Sequence, residues 1–235
     1  MTHICRACVF LGSLAAMICA ALFIFESAAL DANVYIKLQD QLSVYNYAGV
    51  KRDELKLVMR DFAAYLRGER DECPNREVTM FGELSPILND KEIEHMRDVR
   101  ALFGHERVLR DWLLGCAIAL IGAAVVLYRK AGGVKVLRIP LYAFVCLIAP
   151  VIAFVMWVEQ DFYAVFNQFH ELVFTNDLWL LNPETDALIR MFPLRFFINI
   201  IELMLKRLMW LALAAFVVYF AAAFIMHIAK KKRPA

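Results

Sequence analysis

Charged side chains are scarce in this chain. Asp, Glu, Lys and Arg make up 21% of the 235 residues, whereas 61% are hydrophobic, and the mean hydropathy is +0.55. An ordinary soluble domain carries more charge and less apolar surface. The composition therefore excludes a soluble globular protein and indicates a chain that crosses a membrane several times.

Familiar catalytic signatures are also missing. The chain has neither a G-x-S-x-G elbow nor a phosphate-binding loop. His170-Glu171 begins like the zinc motif H-E-x-x-H, but Phe174 stands where the second histidine belongs. We therefore predict no metal site and no cofactor. The net charge of +2 comes without the interleaved aromatic residues typical of nucleic-acid binding, so no nucleic-acid partner is expected.

The cysteines form no disulfide framework. Only Cys73 lies in a long polar segment, where it has no partner. The others lie in or beside apolar runs and are Cys5, Cys8, Cys19, Cys116 and Cys146. Cys5 and Cys8 have C-x-x-C spacing, but a metal site would need a second pair or histidines.

Four apolar runs are long enough to cross a hydrocarbon core of about 30 Å as helices. They are Ala7–Phe25, Trp112–Tyr128, Ile139–Val158 and Leu208–Ala229. The predicted fold class is an α-helical membrane protein with four transmembrane helices and a mixed, mainly helical extracellular cap. Residues 1–29, 112–158 and 208–235 form the membrane part, and residues 30–111 and 159–207 form the cap.

Charge placement orients the spans. The segment around Arg6, the loop 129–138 and the tail 230–233 are basic and contain no acidic residue. Short basic segments stay in the cytoplasm, which puts both termini and the middle loop there and the two long segments outside. The alternative is that the first run is a cleaved signal peptide ending at Ser27-Ala28-Ala29, although the run is longer than a usual signal core.

The long outer segments contain periodic patterns. Val34, Ile36 and Leu38 alternate, which predicts a strand or extended arm, and helical spacing follows over residues 55–66. One short strand is expected at Val78–Phe81. Asn89 and Asp90 offer caps for a helix that runs through Leu102. A second helix carries His170 after the third span, and a short helix ends at Met191.

Two histidines stand out because each lies in an outer segment near a span. Imidazole exchanges protons near neutral pH, so His95 and His170 can act as an acid and base pair if they meet. Asp98 lies one helical turn from His95 and is placed to steady it. The competing interpretation is that both histidines are structural, which is the expectation for His3, His105 and His227.

Two motifs carry a resemblance to a known family. The first is E-x-x-H-M-x-D-V, from Glu92 to Val99. The second is F-H-x-x-x-F-x-N-D-x-W-L-L-x-P-x-T-D-x-L-I-x-x-x-P-x-x-F-F, from Phe169 to Phe197. With the layout of four spans and an outer cap, they resemble the bacterial lipoprotein intramolecular transacylase family. Val173 and Leu194 depart from the expected pattern, and these departures affect only the expected shape of the pocket.

The resemblance implies an acyltransferase whose catalytic histidines map onto His95 and His170. The implied reaction moves the sn-2 acyl chain of a diacylglyceryl lipoprotein to the α-amino group of its N-terminal cysteine and leaves the lyso form. One imidazole would take the amine proton and the other would protonate the leaving glyceryl oxygen, in an order that the sequence leaves open.

Further site residues lie in and beside these motifs. Orienting or oxyanion candidates are Asp98, Asn176 and Asp177. The expected walls of the substrate pocket are aromatic, namely Phe162, Phe166, Phe169, Phe174, Trp179, Phe196 and Phe197. The expected partners are a diacylated lipoprotein in the outer leaflet and membrane lipids, at the bacterial plasma membrane.

The sequence leaves other functions open. A lipid or ester hydrolase, or a donor-dependent acyltransferase, would use the same two histidines. A non-catalytic membrane sensor or scaffold would tolerate their loss.

The topology makes a testable prediction. We expect Gly132 and the C-terminal tail to be cytoplasmic, and Cys73 and Asp186 to be outside, because the basic segments remain inside. An impermeant thiol reagent applied to intact cells should modify Cys73 and spare a cysteine placed at Gly132. Labelling at Gly132 without lysis would overturn this arrangement.

Overall fold

The computed structural model describes residues 1–130, 136 and 138–231, with side chains as far as residue 224. The long helices are α1 (Thr2–Ala29), α5 (Asp90–Lys130), α6 (Ile139–Gln160) and α9 (Leu194–Lys231). The shorter helices are α2 (Ala32–Gln41), α3 (Val44–Ala48), α4 (Arg52–Arg67), α7 (Phe162–Val173) and α8 (Ala187–Met191). Two strands, β1 (Glu77–Met80) and β2 (Glu83–Pro86), form an antiparallel hairpin.

The described residues include four helices long and apolar enough to cross a membrane. At most 11% of the most apolar 18-residue window of each helix is buried. Such extensive exposed apolar surface is suited to hydrocarbon and not to water. The predicted fold class, a four-span α-helical membrane protein with a mainly helical cap, is confirmed.

The chain divides into two compact units. The apolar unit consists of Met1–Ile24, Arg110–Pro150 and Glu202–Ala235, and the polar unit consists of Phe25–Leu109 and Val151–Ile201. In the apolar unit, α1 packs closely against α5 at Gly12, where an added Cβ would lie 3.0 Å from Ile121 Cγ1. Small residues allow such close helix contacts inside a membrane.

The core of the polar unit forms around α4. Leu55, Val58, Met59, Phe62 and Leu66 are all buried, as their helical spacing predicted. The helix ends at Gly68, whose φ of +84° is the left-handed conformation that glycine adopts at helix ends. The amphipathic helix therefore presents one continuous apolar face to the rest of this unit.

The predicted strand or extended arm at Val34, Ile36 and Leu38 is wrong, because these residues belong to α2. Asp31 caps this helix by accepting a hydrogen bond from Asn33 N at 2.8 Å. Tyr35 and Leu38 are both buried, and their three-residue spacing is helical. Packing of this one face and the cap outweigh a short alternating pattern.

The expected short strand lies one residue earlier than predicted, at β1, and pairs with β2, a strand that the sequence pattern did not predict. Its turn is Phe81-Gly82, and both residues have positive φ, as two-residue hairpins of this class require. The tight turn reverses the chain direction and so allows β2 to pair with β1.

The helix expected to run through Leu102 continues without a break to Lys130, so the predicted outer helix and the second span are one helix of 41 residues. No proline occurs between Asp90 and Lys130 to interrupt it.

Cys73 is a poorer labelling target than its sequence position suggested. Burial raises the pKa of its thiol to about 11, and the reactive thiolate is rare at neutral pH. A cysteine at the exposed neighbour Glu72, in a Cys73→Ser background, provides a faster reporter for the same topology test.

Candidate active site

His95 lies near the beginning of α5, outside the apolar run of that helix. It is 7% exposed, and its ring meets the edge of Phe174 with 5.3 Å between centroids. Burial, followed by the charge of His170, lowers the pKa of His95 to about 4, although Asp98 opposes the shift. Its Nδ1 atom is buried and has no hydrogen-bond partner among the described residues. His95 is therefore a neutral imidazole at physiological pH.

His170 lies in the last turn of α7 and is 9% exposed. Its Nδ1 lies 2.7 Å from the Phe166 carbonyl oxygen. A carbonyl oxygen can only accept, so Nδ1 carries the proton and Nε2 of the neutral ring has a free lone pair. Burial lowers the pKa of His170, and the hydrogen bond to Phe166 partly opposes this. The backbone therefore selects the tautomer in which Nε2 can accept a proton.

The two imidazoles lie close together, although they are 75 positions apart in the sequence. Their ring centroids are 6.3 Å apart and the planes are inclined by 36°. No hydrogen bond joins the two rings within the described structure. The fold therefore brings the two predicted histidines together.

Aromatic rings surround His170. The ring centroids of Phe166, Trp179, Phe169 and Phe174 lie 4.1, 5.0, 5.3 and 5.6 Å from that of His170. This shell removes water from the imidazole, which is the cause of its lowered pKa.

The other predicted wall residues form a second layer. Phe162 and Phe197 both contact Phe166, with centroid distances of 6.3 and 5.3 Å. Phe196 is 2% exposed and packs against Tyr35 at 5.5 Å, so it belongs to the core of the polar unit. Of the predicted set, Phe196 is the member that contacts neither histidine nor Phe166.

The polar candidates form a link between two segments. Asn176 Nδ2 donates to Asp98 Oδ2 at 2.9 Å, and Asn176 Oδ1 accepts from Leu178 N at 3.1 Å. Asp98 makes no hydrogen bond to His95 within the described residues, so its influence on that ring is electrostatic. Asp177 accepts from Leu180 N through its backbone carbonyl, which shapes the loop.

Glu92 and Asp186, which are 1% and 4% exposed, were not predicted as functional residues from the sequence. Asn89 and Glu92 have the spacing of a capping box, and this signal could have identified Glu92. Asp186 had only a turn-like context, so no local signal identified its contacts. Among the described residues, no group of three or more His, Cys, Asp or Glu is arranged to hold a metal ion.

The family model described as lipoprotein intramolecular transacylase Lit matches residues 10–197. The chain belongs to this family. Members of the lipoprotein intramolecular transacylase family are acyltransferases, so the chain is a bacterial membrane enzyme of this class. A search of curated proteins found no match.

Solved structures of the membrane-integral lipoprotein intramolecular transacylase Lit from Bacillus cereus share the fold. One, a variant with a histidine replaced by arginine, has a TM-score of 0.74 at 19% identity and covers 97% of this chain and 95% of its own. A variant with a histidine replaced by alanine also has a TM-score of 0.74 at 19% identity, with 96% of each chain covered. A third structure has a TM-score of 0.63 at 20% identity, with 99% and 96% covered.

The unpartnered Nδ1 predicts that His95 lowers the stability of this transacylase-family chain. His95→Leu removes a buried polar atom and retains the bulk of the side chain, so the melting temperature at pH 7.5 should stay equal or rise. The folded pKa of about 4 lies below the ordinary 6.5, so stability present above pH 6.5 is lost as the pH falls toward 4.

Thermal unfolding in detergent at pH 7.5 and pH 5 measures both effects. The wild type should lose more stability than His95→Leu on acidification. The exposed His105 provides the control, since His105→Leu should follow the wild type. Identical pH dependence in the wild type and His95→Leu would refute this account of the buried ring.

Proposed function

We propose that the chain moves the sn-2 acyl chain of a diacylglyceryl lipoprotein to the α-amino group of that lipoprotein's N-terminal cysteine. The product is the lyso form, with one amide-linked and one ester-linked chain. The observation that carries this proposal is the pair of neutral, buried imidazoles of His95 and His170, whose ring centroids lie 6.3 Å apart in an aromatic setting.

His170 serves as the general base. Its Nδ1–H is committed to the Phe166 carbonyl, so Nε2 presents a lone pair to the substrate. As the amine nitrogen attacks the ester carbonyl carbon, Nε2 takes a proton from that nitrogen. The new bond is the amide C–N bond. The base removes the amine proton as this bond forms and not before.

His95 serves as the general acid. Its lowered pKa means that it begins as a neutral ring, so its N–H hydrogen bonds to the glyceryl oxygen and is donated as the ester C–O bond breaks, which leaves an imidazolate. The imidazolium of His170, formed when it took the amine proton, then neutralises this imidazolate by proton transfer through the new glyceryl hydroxyl group. Both rings finish neutral, and the reaction neither consumes nor releases a proton.

The remaining groups confine and stabilise the reacting atoms. The amine and ester belong to one molecule, so positioning supplies much of the rate and no enzyme nucleophile is needed. The Asn176 amide donates one N–H to Asp98, and its second N–H is available for the developing oxyanion. The aromatic residues around His170 exclude water, which would otherwise hydrolyse the ester.

The reaction belongs at the outer face of the plasma membrane in this proposal. The basic segments support cytoplasmic termini, and residues 30–111 and 159–207, which contain both histidines, then lie outside. The substrate is a diacylated lipoprotein of the outer leaflet, surrounded by membrane lipids.

Mass spectrometry of the lipoprotein N-terminus tests the transfer. Purified protein and a diacylated lipoprotein in detergent should give a product of unchanged mass in which one acyl chain has become amide-linked. A gain of one acyl chain would identify a donor-dependent acyltransferase, and release of fatty acid would identify a hydrolase. Either result would refute the intramolecular reaction.

Substitution of the histidines tests the acid-base roles. His95→Ala and His170→Ala should each lower kcat by about 10²–10⁴-fold, the usual contribution of one acid or base. The double variant should be little worse than the more damaged single variant, because both rings act on one transition state. His105→Ala should retain activity, and full activity in His170→Ala would remove the basis of the proposal.

The pH profile separates the base from the substrate amine. Burial lowers the pKa of His170 below its ordinary value, so the acidic limb of kcat should lie below pH 6.5. The limb of kcat/KM should lie near pH 8, because a free α-amino group must lose its proton before it enters the dehydrated site, so that the bound amine is already neutral. Steady-state rates from pH 5 to 9 measure both limbs. A kcat limb above pH 7 would contradict a buried, neutral His170.

A further inference from the structure

Two buried carboxylates join the beginnings of α5 and α8. Glu92 is the third residue of α5, and Asp186 immediately precedes α8. They are separated by 94 positions in sequence and are 1% and 4% exposed. Burying a carboxylate without hydrogen-bond partners costs much free energy, so the contacts of these two groups show which segments they hold together.

Glu92 binds the backbone of both segments. Its Oε2 accepts from Asn89 N at 2.9 Å, and its own N–H donates to Asn89 Oδ1 at 3.0 Å, which completes a reciprocal cap at the start of α5. Its Oε1 accepts from Leu188 N, in the first turn of α8, at 2.6 Å. One side chain therefore satisfies N–H groups at the beginnings of two helices.

Asp186 repeats this arrangement from the opposite side. Its Oδ1 accepts from Asn89 Nδ2 and from Thr185 Oγ1, each at 2.9 Å. Its Oδ2 accepts from Asn182 N at 2.8 Å and lies 4.0 Å from Lys91 Nζ. The two segments are thus joined in both directions, from Glu92 to Leu188 and from Asn89 to Asp186.

The joined segments are those that carry the imidazole site. Glu92 lies one helical turn before His95 on α5. Lys91, next to Glu92, donates to the Leu180 carbonyl oxygen at 2.5 Å. Leu180 follows Trp179, whose ring lies 5.0 Å from that of His170. A displacement between α5 and residues 180–188 would therefore alter the surroundings of both histidines.

We propose that Glu92 and Asp186 are positioning residues that set the distance between His95 and His170 through the hydrogen bonds between the starts of α5 and α8. This inference rests on the proposed function of the two histidines. Neither carboxylate contacts either imidazole, so they act through the segments they hold. The expected defect is misplacement of the reacting groups, which can lower a rate by about 10²-fold for a shift of 1 Å.

Glu92 and Asp186 differ in how strongly their surroundings favour the ionised carboxylate. Burial raises the pKa of Glu92, although the backbone N–H groups of Asn89 and Leu188 oppose this. Burial also acts to raise the pKa of Asp186, but its hydrogen bonds and Lys91 outweigh that effect and lower it overall. Asp186 is therefore the firmly ionised member.

Amide replacements disrupt these contacts with little change of size. In Asp186→Asn, an NH₂ group replaces one oxygen and faces donors from Asn182, Thr185 or Asn89. In Glu92→Gln, one of the two backbone N–H groups loses its acceptor. Asp61→Asn is the matched control, because Asp61 is 19% exposed at its side chain and binds Arg70 and Arg76 in the same unit without joining α5 to α8.

The experiment measures kcat, KM and melting temperature, together with a readout that needs no substrate. In a background with Trp112, Trp157 and Trp210 changed to Phe, Trp179 is the remaining tryptophan. Protonated imidazole quenches indole fluorescence more strongly than neutral imidazole does. The pH dependence of Trp179 emission therefore reports the protonation and proximity of His170.

We expect Asp186→Asn and Glu92→Gln to lower kcat by about 10–100-fold, to change KM by less than about twofold, and to shift or abolish the Trp179 titration. Asp61→Asn should lower the melting temperature about as much as the two amide variants do, and it should leave kcat and the Trp179 titration unchanged. If either amide variant fails to fold, Thr185→Val, which removes one donor to Asp186, should shift both readouts in the same direction by a smaller amount.

The outcomes separate this inference from the proposed function. Lower kcat with an unchanged Trp179 titration, or wild-type kcat in both amide variants, would overturn the positioning role. If the wild type transfers no acyl chain and the amide variants still shift the Trp179 titration, the positioning role is supported and the proposed function is refuted.

Discussion

The hydrogen bond from His170 Nδ1 to the Phe166 carbonyl constrains the rest of the site. It joins side chain and backbone four residues apart on α7 and orients the imidazole at the end of the helix. Because the carbonyl can only accept, the same bond also selects the tautomer. A single local contact thus determines where the basic nitrogen lies and that its lone pair is free. The surrounding aromatic rings keep the ring neutral by excluding water.

The second imidazole is held by packing and not by a hydrogen bond of its own. His95 has a buried Nδ1 without a partner in the described part of the chain, in contrast to the neighbouring polar groups Glu92 and Asp186, whose oxygens accept two or more hydrogen bonds. Unsatisfied buried polar atoms lower stability and concentrate at functional sites. The contrast indicates that the hydrogen-bonded carboxylates of Glu92 and Asp186 hold the segments together, whereas His95 keeps an unpartnered Nδ1 near the proposed reaction site.

Family membership and site geometry supply different parts of the account. The match over residues 10–197 establishes the class of enzyme, and the solved structures, at 19–20% identity, establish the shared fold. The proposed roles of individual residues rest on this chain's own contacts. The assignment of His170 as base depends on one backbone carbonyl, and the role of Asp186 depends on the segments that its oxygens join.

The sequence by itself determined the features that depend on local composition and spacing. The four spans follow from apolar runs of sufficient length, and the buried face of α4 follows from helical periodicity between Leu55 and Leu66, because both signals lie within a few turns of chain. The two histidine motifs also identified the family, because residue types at fixed spacing can be read from the sequence without knowledge of the fold.

Only the tertiary structure decided the features that depend on contacts between distant segments. α2 is a helix because Tyr35 and Leu38 are buried together on one face, against the alternating pattern around them. The proximity of His95 and His170 and the contact of Glu92 with Leu188 each bring together residues that are 75 or more positions apart. Local spacing cannot encode such meetings, because they are set by how whole elements pack and by which buried polar atoms find partners.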